Sequence, residues 1–158
     1  MSTLAQLADL GTLKRYEPMM ERGEFPDRNV FFAREAHNWS ERTLISAPRD
    51  RSRNLSPFEQ VDQLLHDFVI GRPMIYDQHR KMLDPFRLSV WELKTEDVRL
   101  IGWFPQKKNF VIVCGQMKKD LRQFSLYAPC ICHTVWFRAR LDLDEPKCVE
   151  GVRPSDVL

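Results

Sequence analysis

The rhythm of apolar and polar positions changes along this chain. Phe58, Val61, Leu64, Leu65 and Phe68 recur at the three-and-four spacing of one helix face. Ser56 stands at an N-cap position, Pro57 at the first helical position, and Glu59 completes a capping box. Gly71 and Pro73 close the far end. Further on the rhythm shortens, and "RLSVWELK", "VRLIGWF" and "FVIVCG" read as three strands joined by "TED" and "PQKKN". Connections this short hold no crossover helix, so the strands are expected to form an antiparallel meander under the apolar helix. Along the second strand Val98, Leu100 and Gly102 share one face, and Arg99, Ile101 and Trp103 the other.

The flanks are less regular. Leu4, Leu7, Leu10 and Leu13 follow Ser2 and Thr3 at threefold spacing, which predicts a short amphipathic helix weakened by Gly11 and Pro18. "VFFAREAHNW" fits a strand followed by a turn, or a helix, and its periodicity does not choose. "SAPRDRSRNLSP" is arginine-rich and reads as an exposed loop. "CICHTVWFRARLDLDEP" alternates like a strand but also carries helical spacing after Pro129, and the helix fits slightly better. The expected fold class is therefore α+β, an antiparallel β-meander sheet packed against helices. A single domain is expected, with residues 1–55 as an N-terminal extension on the core, 56–145 as the α+β unit and 146–158 as an irregular tail.

Composition narrows the function. With 158 residues, 43% apolar and 29% charged, the chain can bury one core and is not of disordered composition. A net charge of +2 excludes a strongly basic protein but not a local basic face. No run approaches the roughly 20 apolar residues that span a bilayer. The N-terminus lacks the basic and apolar regions of a secretory signal, so a cytoplasmic location with no membrane partner is expected. There the four cysteines, Cys114, Cys130, Cys132 and Cys148, are expected as thiols. "CICH" sets Cys130, Cys132 and His133 close together, but zinc needs a second ligand pair at a defined distance, and no metal is assigned. Serine-hydrolase, Walker, dinucleotide and zinc-protease motifs are absent, and no cofactor is expected.

The cations carry more information. Lys94 closes the first meander strand, Arg99 opens the second, and Lys107 and Lys108 lie in the next loop. Lys118, Lys119 and Arg122 follow the third strand. Meander pairing sets Lys94 beside Arg99 and brings Lys118 and Lys119 towards it. Like charges held together repel, by roughly 0.2–1 kcal/mol per pair. A phosphate backbone at that spot would offset the repulsion. The same placement also suits a solvated basic rim that keeps a sheet edge soluble.

"WELK" (Trp91 to Lys94), "VRLIGWF" (Val98 to Phe104) and "KK" (Lys118, Lys119), preceded by an apolar helix, resemble the RelE/HigB superfamily of bacterial toxins, including its phage-derived HigB-like branch. The similarity spans 56–127. It implies a RelE-like fold and a toxin of a type II toxin–antitoxin pair, a ribosome-dependent mRNA endoribonuclease that cleaves by 2′-hydroxyl attack without a metal. Its implied partners are a cognate antitoxin and mRNA on the ribosome. On this sequence the resemblance makes Arg99 the clamp on the scissile phosphate, with Lys94, Lys118 and Lys119 on flanking charge and Tyr127 as a proton donor or stacking group. Lys107, Lys108 and Arg122 would bind RNA. A lysine serves as a base only where neighbouring cations lower its pKa. The alternative is a non-catalytic relative, of prophage origin, that binds RNA or protein.

Overall fold

Six strands form one sheet in the order β1-β2-β6-β5-β4-β3. In chain order they are β1 (Leu13–Arg15), β2 (Asn29–Ala33), β3 (Arg80–Met82), β4 (Trp91–Lys94), β5 (Val98–Gln106) and β6 (Asn109–Met117). The computed structural model describes residues 1–151 and 153–158. The helices are α1 (Leu4–Asp9), α2 (Arg34–Trp39), α3 (Pro57–Val69), α4 (Lys118–Gln123), α5 (Tyr127–Arg140) and α6 (Pro154–Val157), and a π-helical turn, Ser40–Leu44, continues α2. The fold is α+β with a mostly antiparallel sheet.

The meander β4–β5–β6 forms as its short connections require, with Lys94 opposite Arg99 and Arg99 opposite Gln116. β4 is shorter than "RLSVWELK" implies. Phe86–Leu88 is a 3-10 turn, and Ser89 takes a left-handed φ of 52° that breaks the extended run. α3 starts as its sequence dictates. The Ser56 hydroxyl accepts from the Glu59 N–H at 3.2 Å, and the Ser56 N–H donates to the Glu59 carboxylate at 2.7 Å. Phe58 lies exposed rather than on the packed face, and Gln60 is buried in its stead.

Residues 1–55 are woven into the sheet. β2 lies parallel to β6, from Asn29 opposite Asn109 to Phe32 opposite Ile112, and β1 pairs antiparallel outside it. "VFFAREAHNW" thus supplies a strand and then a helix. Thr3 and Gln6 form a capping box on α1, which ends before Leu10; Leu10 is exposed and Leu13 belongs to β1. In the tail the Val149 N–H donates to the Phe104 carbonyl at 2.8 Å, and Val157 is fully buried.

Helices cover both sheet faces. On one, Trp91, Leu93, Leu100, Phe110 and Ile112 pack against Val61, Leu65 and Phe68 of α3. On the other, Trp103, Val111 and Val113 meet Leu4 and Leu7 of α1. Beside them Ile101 meets Leu121 of α4 and Cys130 and Ile131 of α5. Two glycines permit close approach. A Cβ on Gly102 would stand 1.8 Å from the Val111 carbonyl oxygen, and one on Gly115 would stand 2.3 Å from the Trp39 ring.

Candidate nucleic-acid interface

The β4–β5 turn and the start of α4 meet at one end of the sheet. Lys94 and Arg99 are cross-strand neighbours on one face, and the Lys118 N–H donates to the Asp97 carbonyl at 2.8 Å. Three chain segments therefore bring cations together, but their side chains divide into engaged and unengaged groups.

Arg99 is engaged. It is only 5% exposed, and its Nη1 donates to the Val98 carbonyl at 2.9 Å and to the Thr95 carbonyl. The guanidinium closes its own hairpin and does not face solvent as a phosphate clamp. α5 covers this face of the sheet, and the strand pattern alone did not reveal the cover. Lys94 is engaged as well. Its Nζ donates to the Asp77 carbonyl at 2.9 Å and pairs with the Asp77 carboxylate at 3.2 Å. That hydrogen bond is the largest influence holding the Asp77 carboxyl below its ordinary pKa.

Tyr127, at the start of α5, donates its hydroxyl to Glu92 Oε2 at 3.0 Å. Glu92 is 2% exposed, and burial pushes its carboxyl pKa up against the opposing pull of the Tyr127 hydrogen bond and the charges of Arg99, Lys94 and Lys81. Burial and the neighbouring Glu92 push Tyr127 up to about 12. The pair is an interior hydrogen bond, which removes Tyr127 from the surface role the resemblance implied.

Lys107 and Lys108 occupy the turn at the other end of β5. Seven residues of strand separate that turn from Arg99, roughly 23 Å at the usual rise, so the structure does not join them to the basic end. Lys108 instead pairs with Asp27 at 2.9 Å.

Lys118, Lys119 and Arg122 remain. Among the described residues no carboxylate pairs with any of the three, and Lys119 and Arg122 are exposed. Arg122 is the largest influence lowering the Lys118 pKa, followed by partial desolvation and the charges of Arg99, Lys94 and Arg53. The three cations line an open cleft of 490 Å³ whose opposite wall is the loop carrying Arg49 and Arg53. Arg53 is held by Glu96 at 3.0 Å and by Asp97 at 3.3 Å, and Arg49 donates to the Arg53 carbonyl at 2.6 Å. Neither loop arginine is among the residues that strand pairing brings together; the three arginines of "RDRSR" are the signal in the sequence.

A second open cleft, of 360 Å³, lies on the other side of Arg53 and Glu96, between the β4–β5 turn, α3 and Gln78 and His79. No grouping of three or more His, Cys, Asp or Glu side chains suited to a metal occurs among the described residues. Cys130 is buried on the inner side of α5 and Cys132 is exposed on its outer side. Among the described residues no helix is long and apolar enough to cross a membrane. No family model, curated protein or solved structure matches the chain.

Proposed function

We propose that this protein binds the phosphate backbone of RNA in the cleft between α4 and the 48–57 loop. The carrying observation is Lys118: an ammonium beside Arg122, with no carboxylate partner among the described residues and a pKa lowered by like charge. A phosphate there reverses the sign of the local interaction and restores the ordinary affinity of Lys118 for its proton. RNA rather than another polyanion follows from the resemblance of "WELK", "VRLIGWF" and "KK" to cytoplasmic RNA-directed toxins. The test is binding of a labelled single-stranded RNA as salt is raised. Lys118→Gln, Lys119→Gln and Arg122→Gln together should weaken binding and flatten the logarithmic salt slope by about 2–3. Unchanged binding by that triple variant overturns the reading.

Lys118 also favours a second reading, the ribosome-dependent mRNA endoribonuclease of a type II toxin–antitoxin pair. A lysine whose pKa is lowered by its neighbours can accept the 2′-hydroxyl proton. The resulting oxyanion attacks the adjacent phosphorus, Arg122 and Lys119 hold the phosphorane charge, and the P–O5′ bond breaks as the 5′-oxygen takes a proton from water, whose hydroxide recovers the proton held by Lys118. Arg99 and Tyr127 then act as supports of the site rather than as groups that touch RNA. Induced expression in bacteria separates the readings. Growth arrest with mRNA cleavage that Lys118→Met abolishes supports the toxin; absence of arrest leaves RNA binding alone.

A further inference from the structure

Arg53 and Glu96 line both clefts at the basic end, and their ion pair forms the ridge between them. The two sides of the ridge differ in chemistry. The first cleft has cations in excess. The second sets Arg53 and Lys94 against Asp67 and Glu96, and Lys94 is already neutralised by Asp77. It has no surplus charge to attract a further phosphate.

The second cleft instead offers neutral hydrogen-bonding groups on apolar walls. Gln60 is spent: its Nε2 donates to the Leu55 carbonyl and to Asp97, and its Oε1 accepts from Thr95 and the Asp97 N–H. Gln63 is spent on Asp67 at 2.9 Å. Asn54 and Gln78 are different. Both are exposed, and neither side-chain carboxamide is engaged by another group among the described residues. His79 accepts the Ile75 N–H at Nδ1 at 3.1 Å, which leaves its own N–H on Nε2. Leu55 and Leu64 supply apolar surface. A carboxamide presents a donor and an acceptor side by side, the pattern carried by the edge of a nucleobase. The 360 Å³ volume falls within the range of small-molecule sites, about 300–1,000 Å³.

We propose that this second cleft holds one unpaired base of a single-stranded nucleic acid whose phosphates lie across the ridge. The inference rests on the phosphate-binding reading and extends it. The strand crosses Arg53, the base turns inwards to Asn54, Gln78 and His79, and a duplex is excluded because its base edges are already paired.

The test uses the full chain and labelled RNA oligonucleotides of equal length: four homopolymers, one abasic ribose-phosphate polymer and one duplex. At least one homopolymer should bind about tenfold more tightly than the abasic polymer. Asn54→Ala with Gln78→Ala should erase that advantage and leave abasic affinity and its salt slope unchanged. Both substitutions sit at exposed positions, and an unchanged thermal midpoint verifies folding. Equal binding of abasic and base-bearing strands, a preference that survives the double variant, or duplex binding as tight as single-strand binding overturns the base cleft while the phosphate cleft stands. Failure of every oligonucleotide to bind overturns both.

Discussion

The hydroxyl of Tyr127 reaches the carboxylate of Glu92 at 3.0 Å beneath the first turn of α5. This contact couples the helix to the sheet, and its energetics follow from burial. Tyr127→Phe removes the donor from an almost fully buried carboxyl group and should destabilise the fold by about 1–3 kcal/mol. Urea denaturation measures it. An unchanged midpoint would mean that the hydroxyl is not engaged.

The same carboxyl sets a pH dependence. Its folded pKa lies above the ordinary value of 4.5. A group with a raised pKa contributes fully below its unfolded pKa, and that contribution is lost as pH rises through the folded pKa. The wild-type protein should therefore lose stability as pH rises from 4.5 towards the raised value, and Glu92→Gln should lose less over that interval. Denaturation at successive pH values compares the two slopes.

Lys118 should be the most reactive lysine. Its lowered pKa leaves more free amine at neutral pH than an ordinary lysine has, and the side chain is partly exposed. Limited acylation followed by peptide mass analysis should label it first. Bound RNA should suppress that labelling more than labelling of Lys107. Arg122→Gln should slow the reaction, because it removes the largest source of repulsion.

The far turn is a control. Lys107→Ala should leave RNA affinity and its salt slope unchanged, since the turn lies at the other end of β5. Lys108→Ala breaks an exposed pair with Asp27 and should leave the thermal midpoint nearly unchanged. A loss of RNA affinity in either variant would place the interface elsewhere.

The two tight glycines should rank in order. Gly102→Ala drives a methyl into the Val111 backbone, which cannot swing away, whereas Gly115→Ala meets the Trp39 side chain. Overpacking of this kind costs typically about 1–3 kcal/mol, and Gly102→Ala should lie at or above the upper end. Thermal unfolding of both variants measures the order.

The sequence made the meander and α3 legible because both rest on local signals: short charged turns, a capping box and a clean helical period. It hid β2, because "NVFFA" is buried along most of its length and gives no alternation to distinguish strand from helix. It hid β3 because "RKM" is three residues long. The convergence of Lys94, Arg99 and Lys118 was readable from strand pairing. Which of them stays free was not, since that depends on Asp77, on α5 and on turn carbonyls that approach from distant parts of the chain. The resemblance made Arg99 the clamp and Tyr127 a proton donor or stacking group, whereas among the residues it named the unengaged charge sits on α4, at Lys118 and Lys119.

The parallel pairing of β2 with β6 also sets an order of events during synthesis. Asn29 meets Asn109 across 80 residues of chain. At about 5–20 residues per second a ribosome needs roughly 4–16 s to make that stretch. Until then the apolar "VFFA" segment has only the three residues of β1 as a partner strand, and its other edge stays open. The nascent chain thus carries an adhesive segment through most of its elongation, and the interval in which a chaperone is useful closes only when β6 emerges.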